Sequence, residues 1–169
     1  MIRRNILAGL AGTAVLTPLA RSASAQTRAQ GGDAELRQRI LAASTFAVMT
    51  SRLAATRATA ATVKVFAGFE IAEQGAIMQA MQIAGLPVPA QVQIDAEHAQ
   101  MQSQLEALNG AEFDRMYLQG QLTGHRELLA LHQRSASSGT REEKVISTIA
   151  IAGIEQHIAM LQGMQGRQG

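Results

Sequence analysis

Glu70 and Glu73 stand where a helix places core residues. They fall inside a strip of Val63, Phe66, Ile77, Met81 and Ala84, at the 66, 70, 73, 77 spacing that one helix face turns toward a core. Two carboxylates on a buried face are costly unless they are paired or hold a cation. Carboxylate oxygens and imidazole nitrogens together suit ions such as iron, manganese or zinc, and His98, His125 and His157 lie on the apolar seams of three other predicted helices. A second row runs through the stretch from Phe113 to His132, where Asp114, Tyr117, Gln121, His125 and His132 recur at steps of three, four or seven residues. These polar groups interrupt an apolar side formed by Phe113, Leu118, Leu122, Leu128, Leu129 and Leu131, opposite Arg115, Gln119, Thr123, Arg126 and Gln133.

Two chemistries are open at this point. In one, Glu70, Glu73, His125 and His157 hold a divalent metal: iron, manganese, zinc or copper. In the other, a carboxylate bonds His125, Tyr117 or Gln121 inside a polar core network to which His98 also belongs, and no cofactor is involved. A complete two-metal site is not expected. That pattern needs Glu-x-x-His twice and a Glu from each of two further helices, whereas the nearest match here is Asp95-Ala96-Glu97-His98 and the first helix offers no inward carboxylate. Met78 with Met81, and Met160 with Met164, have a spacing that could present thioethers to Cu(I), but methionine so placed is ordinarily core filler.

The elements that must position these groups are helical. Of 169 residues, 47% are hydrophobic but only 3% aromatic, and the apolar share is carried by Ala, Leu, Ile and Met. Proline occurs only at Pro18, Pro87 and Pro89, so long helices can run unbroken. Five are predicted: about 33–59 behind an Asp33 cap, 62–84, 90–108, 111–135 and 140–162. Gly85-Leu86-Pro87-Val88-Pro89 ends the second, Asn109-Gly110 the third and Ser137-Ser138-Gly139 the fourth, while Thr140-Arg141-Glu142-Glu143 reads as a capping box. Neither Gly nor Pro marks the break between the first two, which could equally be one kinked helix. Short connections between such helices make an antiparallel up-and-down bundle of four to five helices, all-α throughout.

Residues 1–25 read as a signal peptide: Arg3 and Arg4, an apolar segment from Ile6 to Leu19, and Ala23-Ser24-Ala25 as an A-x-A cleavage site. Arg3-Arg4-Asn5-Ile6-Leu7 is similar to a twin-arginine signal, a route that exports proteins already folded and suits one that acquires a cofactor first. The remaining domains are a flexible lead-in at 26–32, a helical domain at 33–163 and a flexible tail at 164–169. No later stretch is expected to span a membrane. Removing Arg3, Arg4 and Arg21 leaves twelve basic residues against thirteen acidic, a net charge of −1 without any basic run, so nucleic-acid binding is not expected. The absence of cysteine excludes disulfides, thiolate metal sites and a Cys nucleophile. Ser44, Thr45, Thr50 and Ser51 make no nucleophile and base arrangement, and no phosphate loop or G-x-S-x-G elbow occurs.

Phe113-Asp114-x-x-Tyr117 followed by His125 resembles an exported bacterial family catalogued as domain of unknown function 4142, whose members are ferritin-like helical bundles. Further matches are Ala43-Ser44-Thr45-Phe46-Ala47, Val65-Phe66-Ala67, Asp95-Ala96-Glu97-His98, the Asn109 to Asp114 junction and Glu155-Gln156-His157. The likeness spans about 34–161. Many relatives carry an acid followed directly by His on the second helix, where this chain has Glu73-Gln74. The resemblance implies a ferritin-like bundle and an exported, periplasmic location, and it implies no reaction. The role expected is non-catalytic binding or stress protection, with a protein, a small ligand or further copies of the chain as partner. Metal binding, with iron oxidation or storage, is the alternative.

Overall fold

The computed structural model describes the backbone of residues 19–166 and the side chains of residues 34–166, so most of the predicted signal segment and the last three residues lie outside it. Five helices follow in order: α1 (Leu19–Arg57), α2 (Ala61–Ile83), α3 (Ala96–Ala107), α4 (Gly110–Ser138) and α5 (Arg141–Gln165). No strand occurs among the described residues. The helices alternate in direction. α1, α2, α4 and α5 form the four corners of a bundle, with α1 packed on α2 and α4, α5 packed on α4 and α2, and α3 laid outside against α1 and α4.

The boundaries follow local chemistry. Ala58 to Ala60 separate α1 from α2, which settles them as two helices. Asp114, reaching over from α4, holds this turn: its carboxylate accepts from Thr59 N at 3.0 and 3.1 Å, Thr59 Oγ1 at 2.6 Å and Ala60 N at 2.8 Å. α2 ends where Gly85 adopts φ 74°, and the bonds Leu86 N to Met81 O (2.9 Å) and Gly85 N to Gln82 O (3.0 Å) close its last carbonyls. The capping box at α5 is present, with Thr140 accepting from Glu143 N and Glu143 from Thr140 N.

Several expectations change. α1 already includes 26–32, because Gln, Arg and Ala are good helix formers and each of the two glycines costs only about 1 kcal/mol. α3 starts at Ala96 rather than near 90: Pro87 and Pro89 keep 84–95 irregular, and Asp95 caps the helix by accepting from His98 N at 2.9 Å. Ser137 and Ser138 belong to α4. Met164, assigned to a tail, is buried in the core. By length and composition α5 is apolar enough to cross a membrane, with a mean hydropathy of 1.2 over its most apolar window. In the bundle it buries one face, polar Glu143, Ser147 and His157 included, against its neighbours and leaves Val145 and Ile149 exposed on the other.

The core is layered. One apolar cluster, including Ala58, Val63, Phe66, Phe113, Leu118, Leu122, Leu161 and Met164, fills the end nearest the α1–α2 turn. A second, including Leu36, Ile40, Ala43, Leu128, Leu131, Ala150 and Ile154, fills the other half. Met81, with Met78, joins a third cluster, and Met160 packs with Met164 in the first, so the methionine pairs serve as core filler. Gly120 makes room for Met101, whose Sδ would lie 2.9 Å from an added Cβ.

Candidate metal centre

Between the two main apolar layers lies a polar one, made where helical periodicity carries three helices through the same level. Glu70 follows Phe66 and Ala67 on α2, His125 falls between Leu122 and Leu128 on α4, and His157 falls between Ile154 and Leu161 on α5. All three are sealed, at 0%, 0% and 5% exposure. Their donor atoms converge: His125 Nε2 lies 3.0 Å from Glu70 Oε2, His157 Nδ1 lies 2.9 Å from the same oxygen, and the two ring nitrogens are 3.2 Å apart. Glu70 Oε1 has no hydrogen-bond partner.

The outer ring nitrogens determine what the inner ones can do. His125 Nδ1 lies 2.8 Å from the main-chain carbonyl of Gln121, and a carbonyl only accepts, so Nδ1 carries a proton. In the neutral ring, Nε2 therefore presents a lone pair to the carboxylate. His157 Nε2 lies 3.2 Å from Glu73 Oε2, an electrostatic contact; with its proton on Nε2, the neutral ring would turn the Nδ1 lone pair inward as well. Three lone pairs meeting at this distance demand a cation between them. Either a proton shared from His157 Nδ1 or a metal supplies it. Adjacent ligands about 3 Å apart subtend roughly a right angle at an ion about 2.1 Å from each, which these separations match.

Charge supports the same conclusion. Burial by itself would push Glu70 upward, but hydrogen bonds and charge from His125 and His157, when those rings are protonated, bring its pKa down to about 2. Burial disfavours charge on His157 too, yet its bond to Glu70 and the fields of Glu70 and Glu73 raise its pKa above the usual value. Glu73, partly buried, is raised chiefly by burial. Two protonated rings, or a divalent ion between neutral rings, would balance the two carboxylates. Phe66 closes the site with its ring 5.1 Å from His157 in an edge contact and 6.0 Å from His125.

The other expected members are placed differently. Tyr117 and Gln121 do form a buried network, but their partners are on α1: Tyr117 OH with Ser51 Oγ at 2.8 Å, and Gln121 Nε2 donating to Thr50 Oγ1 at 2.8 Å and to Ala47 O at 3.3 Å. Burial raises the Tyr117 phenol well above its ordinary range. Thr50 and Ser51, considered above only as nucleophiles, thus serve as core hydrogen-bond partners; two hydroxyl residues on the inner face of an apolar helix are the signal for that role. His98 is not in the network. α3 lies outside the four-helix core, so His98 stacks on Phe46 and faces Asp95 Oδ2 at 2.9 Å and Glu127 Oε2 at 3.6 Å.

His132 sits two turns beyond His125 and does not reach the centre. It pairs through Nδ1 with Ser147 Oγ at 3.0 Å, and Ser147 bonds Ser135. Burial pushes its pKa down to about 4. The folded protein thus refuses a proton that the unfolded chain accepts near pH 6.5, so stability is lost as pH falls from about 6.5 towards 4, by up to about 3 kcal/mol. Replacing His132 with Asn should flatten that limb in urea unfolding at pH 7, 5.5 and 4.5. An unchanged slope would assign it to other groups.

The family model described as Domain of unknown function (DUF4142) matches residues 18–164. No curated protein and no solved structure matches the chain.

Proposed function

Since the chain belongs to the DUF4142 family, a domain of unknown function, we propose from the site's own geometry that it binds one divalent first-row transition ion through Glu70, His125 and His157. The observation that carries this is the convergence of Glu70 Oε2, His125 Nε2 and His157 Nδ1, all within 3.2 Å of one another, with the outer nitrogen of His125 bonded to a carbonyl and that of His157 facing Glu73. Such outer partners orient ligating histidines in metal proteins. Two nitrogens and one carboxylate oxygen, arranged to one side of the ion, suit iron(II), manganese(II) or zinc(II). A single carboxylate among three ligands supports one ion rather than two.

The role is binding rather than turnover. Exposures of 0% to 5% leave no face for an organic substrate, so only the ion and small ligands such as water have access. We further propose that the protein is exported, on the support of Arg3, Arg4 and the Ala23-Ser24-Ala25 cleavage pattern. An exported ferritin-like bundle that sequesters a metal fits that location. Untagged protein, stripped with chelator and titrated separately with zinc(II), manganese(II) and anaerobic iron(II), should take up close to one ion per chain with a rise in melting temperature. No uptake, and melting indifferent to all three ions, would leave Glu70, His125 and His157 as a proton-held core network.

A further inference from the structure

Gly153 faces Glu73 across the gap between α5 and α2. A methyl group at Gly153 would overlap Glu73 Oε1 and come within 2.9 Å of Glu73 Cδ. Nothing about the backbone calls for glycine there: Gly153 lies in the middle of α5 and is not among the positive-φ glycines. Glycine inside a helix is normally a liability, and whereas an added Cβ at the mid-helix Gly68, Gly75 or Gly124 would meet nothing within 4 Å, the space left by Gly153 is filled by a neighbour. That space is occupied by the carboxylate that touches His157 Nε2 at 3.2 Å.

We propose that Gly153 is a positioning residue for the metal centre: its missing side chain is the notch in which Glu73 rests, and Glu73 in turn fixes His157 as an Nδ1 donor. The inference rests on the metal-binding reading above. Glu73 itself does not ligate. It lies on the far side of the His157 ring from Glu70, and its 28% side-chain exposure marks it as the one carboxylate here that solvent reaches. Filling the notch would swing Glu73 into that solvent. His157 could then place its proton on either nitrogen, and an Nδ1 proton excludes the ion.

Zinc(II) affinity of the full chain should fall roughly 10-fold to 100-fold in Gly153→Ala, the range for losing an outer partner of a ligating histidine. The melting temperature of the metal-free variant should hold or rise, since alanine is the better helix former. Glu73→Ala should lose the same affinity, Glu73→Gln less, because an amide oxygen still accepts from Nε2–H. The double variant Gly153→Ala with Glu73→Ala should be no worse than Glu73→Ala alone. Full summation of the two losses, or wild-type affinity in Gly153→Ala, would overturn the proposal. Long-range nitrogen–proton NMR of the metal-free protein adds a readout independent of zinc. Gly153→Ala should shift the His157 ring signals, and unchanged signals would overturn the contact itself. Wild-type protein that takes no zinc, manganese or iron while still showing that shift would remove the metal and keep the notch.

Discussion

Replacing Glu70 with Gln should lower divalent-ion affinity by at least about 100-fold while leaving the bundle folded. The carboxylate is the centre's only anionic ligand. Its Oε2 is shared by both histidines, and its Oε1 has no partner to give up. An amide of the same size removes the charge but keeps an acceptor oxygen, which in the place of Oε2 can still accept from a His157 Nδ1–H. The variant therefore separates metal binding from packing, which Glu70→Ala would not, because alanine leaves a cavity and a protonated His157 without its counterion. Competition titration against a chromogenic chelator measures the first effect, and circular dichroism the second. The variant should also lose part of its acid sensitivity. Glu70, depressed from 4.5 to about 2, contributes stability that is present above pH 4.5 and lost as pH falls through its folded value. Wild-type affinity in Glu70→Gln would place the ion elsewhere.

The largest loss of stability should come from a residue outside the centre. Asp114→Ala should destabilise the protein by about 3 kcal/mol, the scale expected when several hydrogen bonds to one charged acceptor are removed. Asp114 is 2% exposed and is the common acceptor for Thr59 N, Thr59 Oγ1 and Ala60 N. Ala60, the α2 N-cap, has no side chain that could replace it. Its charge also lies at the positive end of the α2 dipole. Without it the turn at 58–60 has donors with no acceptor, and the start of α2 is no longer tied to α4. For a chain of this size, thermal melting should drop by roughly 10 °C. Asp114→Asn should fall between wild type and Asp114→Ala, since one acceptor survives. A loss under about 1 kcal/mol would show that the freed donors reach water.

Much of this was legible in the sequence, and the limits have physical causes. A helical strip that reads Val63, Phe66, Glu70, Ile77 and Met81 announces a carboxylate in a core, and His125 and His157 announce themselves the same way, because periodicity reports which face a residue occupies. It does not report the level at which one helix meets another. Hence Glu70, Glu73, His125 and His157 could be named together as candidates, but that Glu70, His125 and His157 converge while Glu73 stands outside, and that Tyr117 and Gln121 pair with α1 hydroxyls, needed the packed bundle. His98 misled for a related reason: it lies on a true seam, but that seam covers the outside of α1 and α4. The glycine that mattered was Gly153, whose role depends on Glu73 eighty residues earlier.

The two histidines are held by partners of different kinds, and this makes them unequal under mutation. His157 is oriented by a side chain, so a single codon change at Glu73 or Gly153 can loosen it. His125 is oriented by the main-chain oxygen of Gln121, one turn back on its own helix. Every residue type supplies that oxygen, so no ordinary substitution at position 121 removes it. One ligand of the proposed centre would thus be adjustable by drift or selection, while the other is hard-wired for as long as α4 remains a helix.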